Sequence, residues 1–314
     1  AGAEWLLDNF HVIDEQVREI RRDLPRSYYR ALPRLTSEGW AGNPRVYLLA
    51  CEYVTHTDAI VTTSSLAGFL EAYQSKCELH IGEIWAVPIM LRLALVENLR
   101  RLAESGLASS LQRRQAERLC REVVDPAGIN ATDMLMRLVA WVKRHPQVLE
   151  YGAGYILRRL RARGSAAGLS AQWLDEQIRE RGIDPSNVDR IEQQLQAADQ
   201  LSVGNSVTAL KTIGNLNWRD WFEEVSHVDK ILRQDPSHTY SASDFITRDE
   251  CRHAIEEIAR WSGCEETNVA HEAISCANEK SGDQICSDTG RTGHVGYYLV
   301  DEARVLLEKR LKAR

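Results

Sequence analysis

The chain has 314 residues, 44% of them hydrophobic, with 39 Lys and Arg against 45 Asp and Glu for a net charge of −6. That length accommodates one large domain or two modest ones, and the mild acidity argues against nucleic acid as a partner, which needs a basic stripe. Seven cysteines, an odd number scattered through helical patterns, read as reduced thiols rather than a disulfide scaffold, and no signal peptide or complete membrane span is legible.

Ala1-Gly2-Ala3 opens the chain without Met and already in helical rhythm, which reads as a piece of something longer. Residues 3–24 carry an apolar stripe (Leu6, Leu7, Phe10, Ile13, Val17, Ile20) against a polar one, predicting an amphipathic helix. Glu4, Asp8 and His11 have metal-compatible spacing but lack a second ligand segment, so a solvated face is the simpler reading. Pro25 and Pro33 then pin a short turn or helix carrying Tyr28 and Tyr29, whose aromatic faces and hydroxyl tips suit a sugar or a buried contact. Pro44 opens a helix to about Asp58 with Val46, Leu49, Ala50, Tyr53 and Val54 as its buried face. At its end, His56 and Asp58 suit either a general acid/base pair or a carbonyl-end cap. Thr63 or Ser64 caps a helix through Tyr73.

Residues 80–104 form the central feature. From Ile84 to Val96 they are apolar around almost the whole circumference, broken by Arg92, and too short for a bilayer span of about 20 residues. We read a buried central helix, with Pro88 predicting a kink or the true start. It carries Glu83 and Trp85 as candidate contacts. Glu97 reaches Arg100 and Arg101 three and four residues on, a paired structural network.

Beyond it, helices are predicted over 107–124, from Asn130 (with Asp133 completing the cap) to Arg144, and from Pro146 to about Arg163. The small, glycine-containing stretch 161–170 is the expected lobe boundary. Trp173–Arg181 and a long polar helix after Asp184-Pro185 follow. Trp218 and Trp221, three apart on one face, suit sugar stacking or a core wedge, and Thr247 with Glu250 reads as a capping box. With no strand pattern, the fold class is all-α, a multi-helical array or bundle in two lobes: residues 1–163 around the central helix, and 170–278. Residues 279–296 read as a flexible loop and 297–314 as a C-terminal helix whose basic end suits a dipole complement or a juxtamembrane segment.

No complete catalytic or cofactor motif is present. Cys251, Cys264, Cys276 and Cys286 with His253 and His271 lack any C-x-x-C pair, and no phosphate-cradling glycine loop or serine elbow occurs. Glu257-Ile258-Ala259-Arg260-Trp261 mimics the Q-x-x-R-W signature of processive glycosyltransferases, but no D-x-D accompanies it, so the match reads as accidental. We assign no catalytic, cofactor-binding or metal residue.

Several stretches nevertheless resemble one family in order: EWLLDNFH (4–11), REIRRDLPRSYYRALPRL (18–35), GNPRVYLLACEYVTHTD (42–58), IGEIWAVPIMLRLALVENLRRLAE (81–104), NWRDWFEEVSHVDKIL (217–232) and GYYLVDEARVLLEKRL (296–311). They resemble the N-terminal cytoplasmic region of bacterial cyclic β-1,2-glucan synthases, departing at Pro88, where the family has a helix-friendly residue. The resemblance implies a large inner-membrane enzyme of Gram-negative bacteria that polymerises glucose from UDP-glucose with a divalent metal and closes the chains into rings. It also implies that transferase, membrane helices and phosphorylase-like region follow this segment, which would lie on the cytoplasmic face beside the remainder of the polypeptide, with glucan a candidate ligand. No catalytic residue carries over. The leading expectation is a non-catalytic module; the alternative is an independent helical carbohydrate-binding or glycosidase-like domain using Tyr28, Tyr29, Trp218, Trp221, Asp58 and Glu83.

Overall fold

The computed structural model describes residues 6–281 and 292–312. Among them the fold is all-α, as expected: helices carry it, no strand is present, and extended pairing is confined to an isolated bridge between Arg34 and Pro44. Helices α1 (Phe10–Asp23), α2 (Arg26–Ala31), α3 (Arg45–His56) and α4 (Thr63–Gln74) precede α5 (Ile81–Leu119), which runs into a π turn at Cys120–Val124. Then come α6 (Ala131–Arg144), α7 (Val148–Tyr151), α8 (Ala153–Ala162), α9 (Gly168–Glu180) and α10 (Val188–Asn215). The rest is α11 (Trp218–Val225), α12 (His227–Leu232), α13 (Thr239–Ala242), α14 (Phe245–Ser262), α15 (Glu266–Ser281), α16 (Val295–Leu299) and α17 (Arg304–Arg310). No helix among the described residues is long and apolar enough to cross a membrane.

Local chemistry explains most boundaries. Pro44 stands at the N-cap position of α3, whose buried residues are Val46, Leu49, Ala50, Tyr53 and Val54, the i, i+3, i+4 stripe of a helix with one face inward. Asn130 caps α6 by accepting from the Asp133 amide at 2.8 Å. Thr62, one residue before the expected cap, accepts from the Ser65 amide and starts α4. Asp244, rather than Thr247, caps α14 by accepting from the Thr247 amide at 2.8 Å; a carboxylate one turn earlier satisfies the orphan donor first.

Four expectations need correction. The helix read as 80–104 continues to Leu119, absorbing the separate helix expected from Leu107. Gly106 keeps a negative φ and so cannot form a left-handed terminus, while Arg100 bonds Glu97 and Glu104 across the same turns. Of the two readings of Pro88, the start is excluded: it lies inside this helix, where its ring supplies no amide to the Ile84 carbonyl. The single C-terminal helix is instead α16 and α17, separated by residues 300–303. Its basic end is engaged, Arg310 pairing with Glu272 at 2.9 Å and Glu279 at 2.5 Å. Of the expected loop 279–296, residues 279–281 belong to α15 and Val295 opens α16, while 282–291 lie outside the described residues.

The chain groups into two compact units, residues 1–16 with 95–210 and residues 17–94 with 211–314, so the division falls within α1, α5 and α10. The stretch 161–170, expected to separate the lobes, lies inside the first unit. There Ala167 is buried and the Arg163 guanidinium donates to the carbonyls of Val124 and, at 2.6 Å, Pro126, closing the end of the π turn. The first unit's core joins Met134, Leu138 and Val142 of α6 to Ile156, Leu157 and Leu160 of α8 and Leu174 and Ile178 of α9. Gly152 is required where α5 passes: a Cβ there would stand 2.7 Å from the Ala116 Cβ and 2.8 Å from the Val148 carbonyl.

In the second unit the start of α5 is buried all round, through Ile84, Ala86, Val87, Met90 and Leu91. Beside it lies a fully buried guanidinium. Arg252 of α14 donates to Asp229 at 2.9 Å and Asp249 at 3.1 Å, with its guanidinium carbon 5.1 and 4.8 Å from the ring centroids of Phe222 and Phe245. Asp229 also accepts from Arg233 at 2.6 Å and from the Tyr240 hydroxyl at 2.7 Å. Arg252 and Asp229, both fully buried, are thus paired, which the low local dielectric demands.

Candidate functional site

A cleft of about 600 Å³ in the second unit is built around the first turn of α5. Pro25 and Pro33 hold α2 so that the Tyr28 hydroxyl donates to the Gly82 carbonyl at 2.6 Å. Glu83, fully buried, accepts from Arg45 through both oxygens at 2.6 and 2.5 Å. It also reaches back to the His80 amide at 3.0 Å, the returning half of a capping box. Glu266, in the first turn of α15, accepts from the Ile81 amide at 2.7 Å across 185 residues. Two carboxylates thus terminate the α5 N-terminus, where orphan amides and the positive dipole end favour anions. Glu256 of α14 lines the same cleft and pairs with His253 at 2.8 Å.

Burial, and then the neighbouring Glu256, Glu83 and Glu265, push the Glu266 carboxyl up to about 7, against the single amide that lowers it. Burial, followed by the charges of Glu256 and Glu83, also raises the Tyr28 phenol, which keeps it a neutral donor. The cleft therefore holds one carboxyl raised toward neutrality, the kind of perturbed group that acid/base chemistry uses. Among the described residues no group of three or more His, Cys, Asp and Glu is arranged to hold a metal ion. Cys251, Cys264 and Cys276 are free thiols, the first pushed to about 11 by burial; Cys286 lies outside the described residues.

Of the residues singled out from sequence, the cleft brings Tyr28 and Glu83 together and leaves the others elsewhere. Tyr29 lies under the Arg34 guanidinium, 5.3 Å from its ring centroid. His56 is exposed and 3.3 Å from Glu52, and Asp58 occupies a left-handed turn, φ 49°, just past α3. Trp85 stacks on Phe222 at 4.4 Å with its edge to Phe245. Trp218 and Trp221 meet edge to face at 5.2 Å, the first donating to the Ile213 carbonyl and the second buried. Both serve packing. Glu97 and Arg100 pair on the surface at 2.7 Å and Arg101 is exposed, so the buried pair of α5 is Glu83 with Arg45. Sequence reasoning missed Glu256 and Glu266. The one signal was the Glu265-Glu266 start just past the left-handed Gly263, and nothing local ties it to Ile81.

An all-α, strandless segment with a carboxylate-capped helix start is the class these observations define. The chain is 35% identical over 313 residues to the cyclic beta-(1,2)-glucan synthase NdvB of Rhizobium meliloti (strain 1021). The match covers 99% of this chain and 11% of that relative, so the chain corresponds to a segment of it. No family model matches.

Proposed function

We propose that this chain is a non-catalytic module of a membrane-bound cyclic β-1,2-glucan synthase, serving assembly, regulation or acceptor handling. The observation that carries the reading is the match along 99% of the chain to a segment of a synthase. Glucosyl transfer from UDP-glucose, and the divalent metal it uses, belong in this reading to other regions of the polypeptide, at the cytoplasmic face of an inner membrane. Incubating the isolated chain with labelled UDP-glucose and Mg²⁺ or Mn²⁺ is expected to incorporate no glucose. Robust incorporation overturns the non-catalytic role, and normal glucan output after deletion of this segment from the full synthase overturns a required role of any kind.

One observation favours a second reading, a helical carbohydrate-binding or glycosidase-like domain: Glu266 holds a proton near neutrality beside Glu256 and Tyr28 in one cleft. Hydrolysis of linear β-1,2-glucan by the isolated chain, lost in Glu266→Gln, is its test. Absence of hydrolysis and of glucan binding removes it.

A further inference from the structure

The first unit carries a second depression, an apolar groove of about 790 Å³ between α5 and α10. Leu99, Ala103 and Leu107 line it from α5, and Leu195, Asp199 and Val203 from α10, each set four residues apart and therefore a stripe on one helix face. The lining spans residues 96–113 of α5 and 192–203 of α10, a length of about 17–25 Å at 1.5 Å per residue. Leu7 and Phe10 close one side, and these two with Leu107 and Leu195 are 75%, 62%, 62% and 50% exposed. Large apolar side chains gathered this way mark an interaction surface rather than ordinary scatter. Among the lining residues, exposed Gly106 has no atom within 4 Å of a built Cβ, so another backbone can approach α5 closely there.

Charge narrows the occupant. Arg100 is engaged by Glu97 and Glu104. Glu192 accepts from the Gly154 amide at 3.3 Å and faces Arg113. Asp199 has no ion pair or hydrogen bond among the described residues, and burial against the groove alone raises its carboxyl. An uncompensated carboxylate on an apolar wall repels fatty-acid and anionic lipid headgroups and attracts a cation.

We propose that this groove docks an amphipathic helix of a protein partner, its apolar stripe filling the space between α5 and α10 and a Lys or Arg meeting Asp199. The occupant is three to five turns long, matching the groove, and its backbone crosses α5 at Gly106. This docking mode reads as i, i+3, i+4, i+7 anchors with a charge at the edge.

The test uses the 314-residue chain and two fluorescein-labelled helical peptides of about 18 residues. They share one Leu stripe and carry either Lys or Glu at its edge; anisotropy reads the affinity. The Lys peptide is expected to bind about fivefold more tightly than the Glu peptide, and Asp199→Lys to reverse that order. Gly106→Leu fills the open space beside α5 and is expected to abolish binding with the circular dichroism unchanged, since Leu is the better helix former and meets no neighbour. Equal affinity for the two peptides, an unchanged order in D199K, full binding by G106L, or no binding of either peptide at about 100 μM overturns the proposal. So does self-association that G106L removes, which assigns the groove to a second copy, or binding to neutral phosphatidylcholine vesicles that G106L removes, which assigns it to lipid.

Discussion

Two acids of the second unit, fully buried Asp229 and half-buried Glu266, use the same functional group to opposite ends. Asp229 receives hydrogen bonds from Arg252, Arg233 and the Tyr240 hydroxyl, two of the donors being cationic. Glu266 receives one backbone amide and faces three other glutamates. Burial is common to both; donor supply separates them. A saturated acid locks neighbouring helices, whereas an under-supplied one stays protonated into the neutral range and keeps chemical capacity.

Removing the donor from the saturated site should have the largest effect. Arg252→Met leaves Asp229 with one cation fewer and opens the space between Phe222 and Phe245, and should cost about 3–5 kcal/mol in urea unfolding. Relieving the under-supplied site should act in the opposite sense. The folded-state value of Glu266 lies above its unfolded one, so its ionisation destabilises the fold as pH rises from about 4.5 through about 7. Glu266→Gln should therefore gain up to about 3 kcal/mol at pH 8 and little at pH 4, flattening the pH profile of unfolding.

Asp235 tests the donor rule at a third acid. Burial would raise it, but the hydrogen bonds of His294, Ser237 and the Tyr240 and Val295 amides outweigh that and bring it to about 2. Its contribution is present above the unfolded value of 3.8 and is lost as pH falls through about 2. Asp235→Asn should cost about 2 kcal/mol at pH 7, measured by urea unfolding, and almost nothing at the lowest pH. The smallest change is Tyr28→Phe, expected to lower stability by about 1 kcal/mol through loss of the Gly82 hydrogen bond. A change of several kcal/mol would mean that the cleft, too, is a lock.

What was legible in the sequence follows from distance along the chain. The buried face of α3 and the Asn130 cap are local patterns, read from residues a few positions apart. Tyr28 and Glu83 were singled out for their chemistry, but their meeting depends on α2 reaching the start of α5. Glu266 lies 185 residues from the amide it caps, a separation no periodicity encodes. The same holds for the division into units, which is drawn by pairings of residues far apart rather than by the small-residue composition of 161–170. The continuation of α5 to Leu119 is hard to read because its apolar run gives way to a polar, glycine-containing stretch after Glu104, whereas a glycine such as Gly106 terminates a helix only with a left-handed φ, which it lacks.

The Arg163 clasp has a consequence for the order in which the first unit opens. Helix ends ordinarily fray first, since their last carbonyls are held by water alone. Here the carbonyls beyond α5 are held by a side chain 37 and 39 residues downstream. Opening of the π turn beyond α5 therefore requires Arg163 to release the Val124 and Pro126 carbonyls, and loosening around residue 163 strips them. Two stretches far apart in sequence are thereby coupled, and hydrogen exchange is expected to show the amides of 120–126 and of 161–164 slowed together, an effect lost in Arg163→Ala.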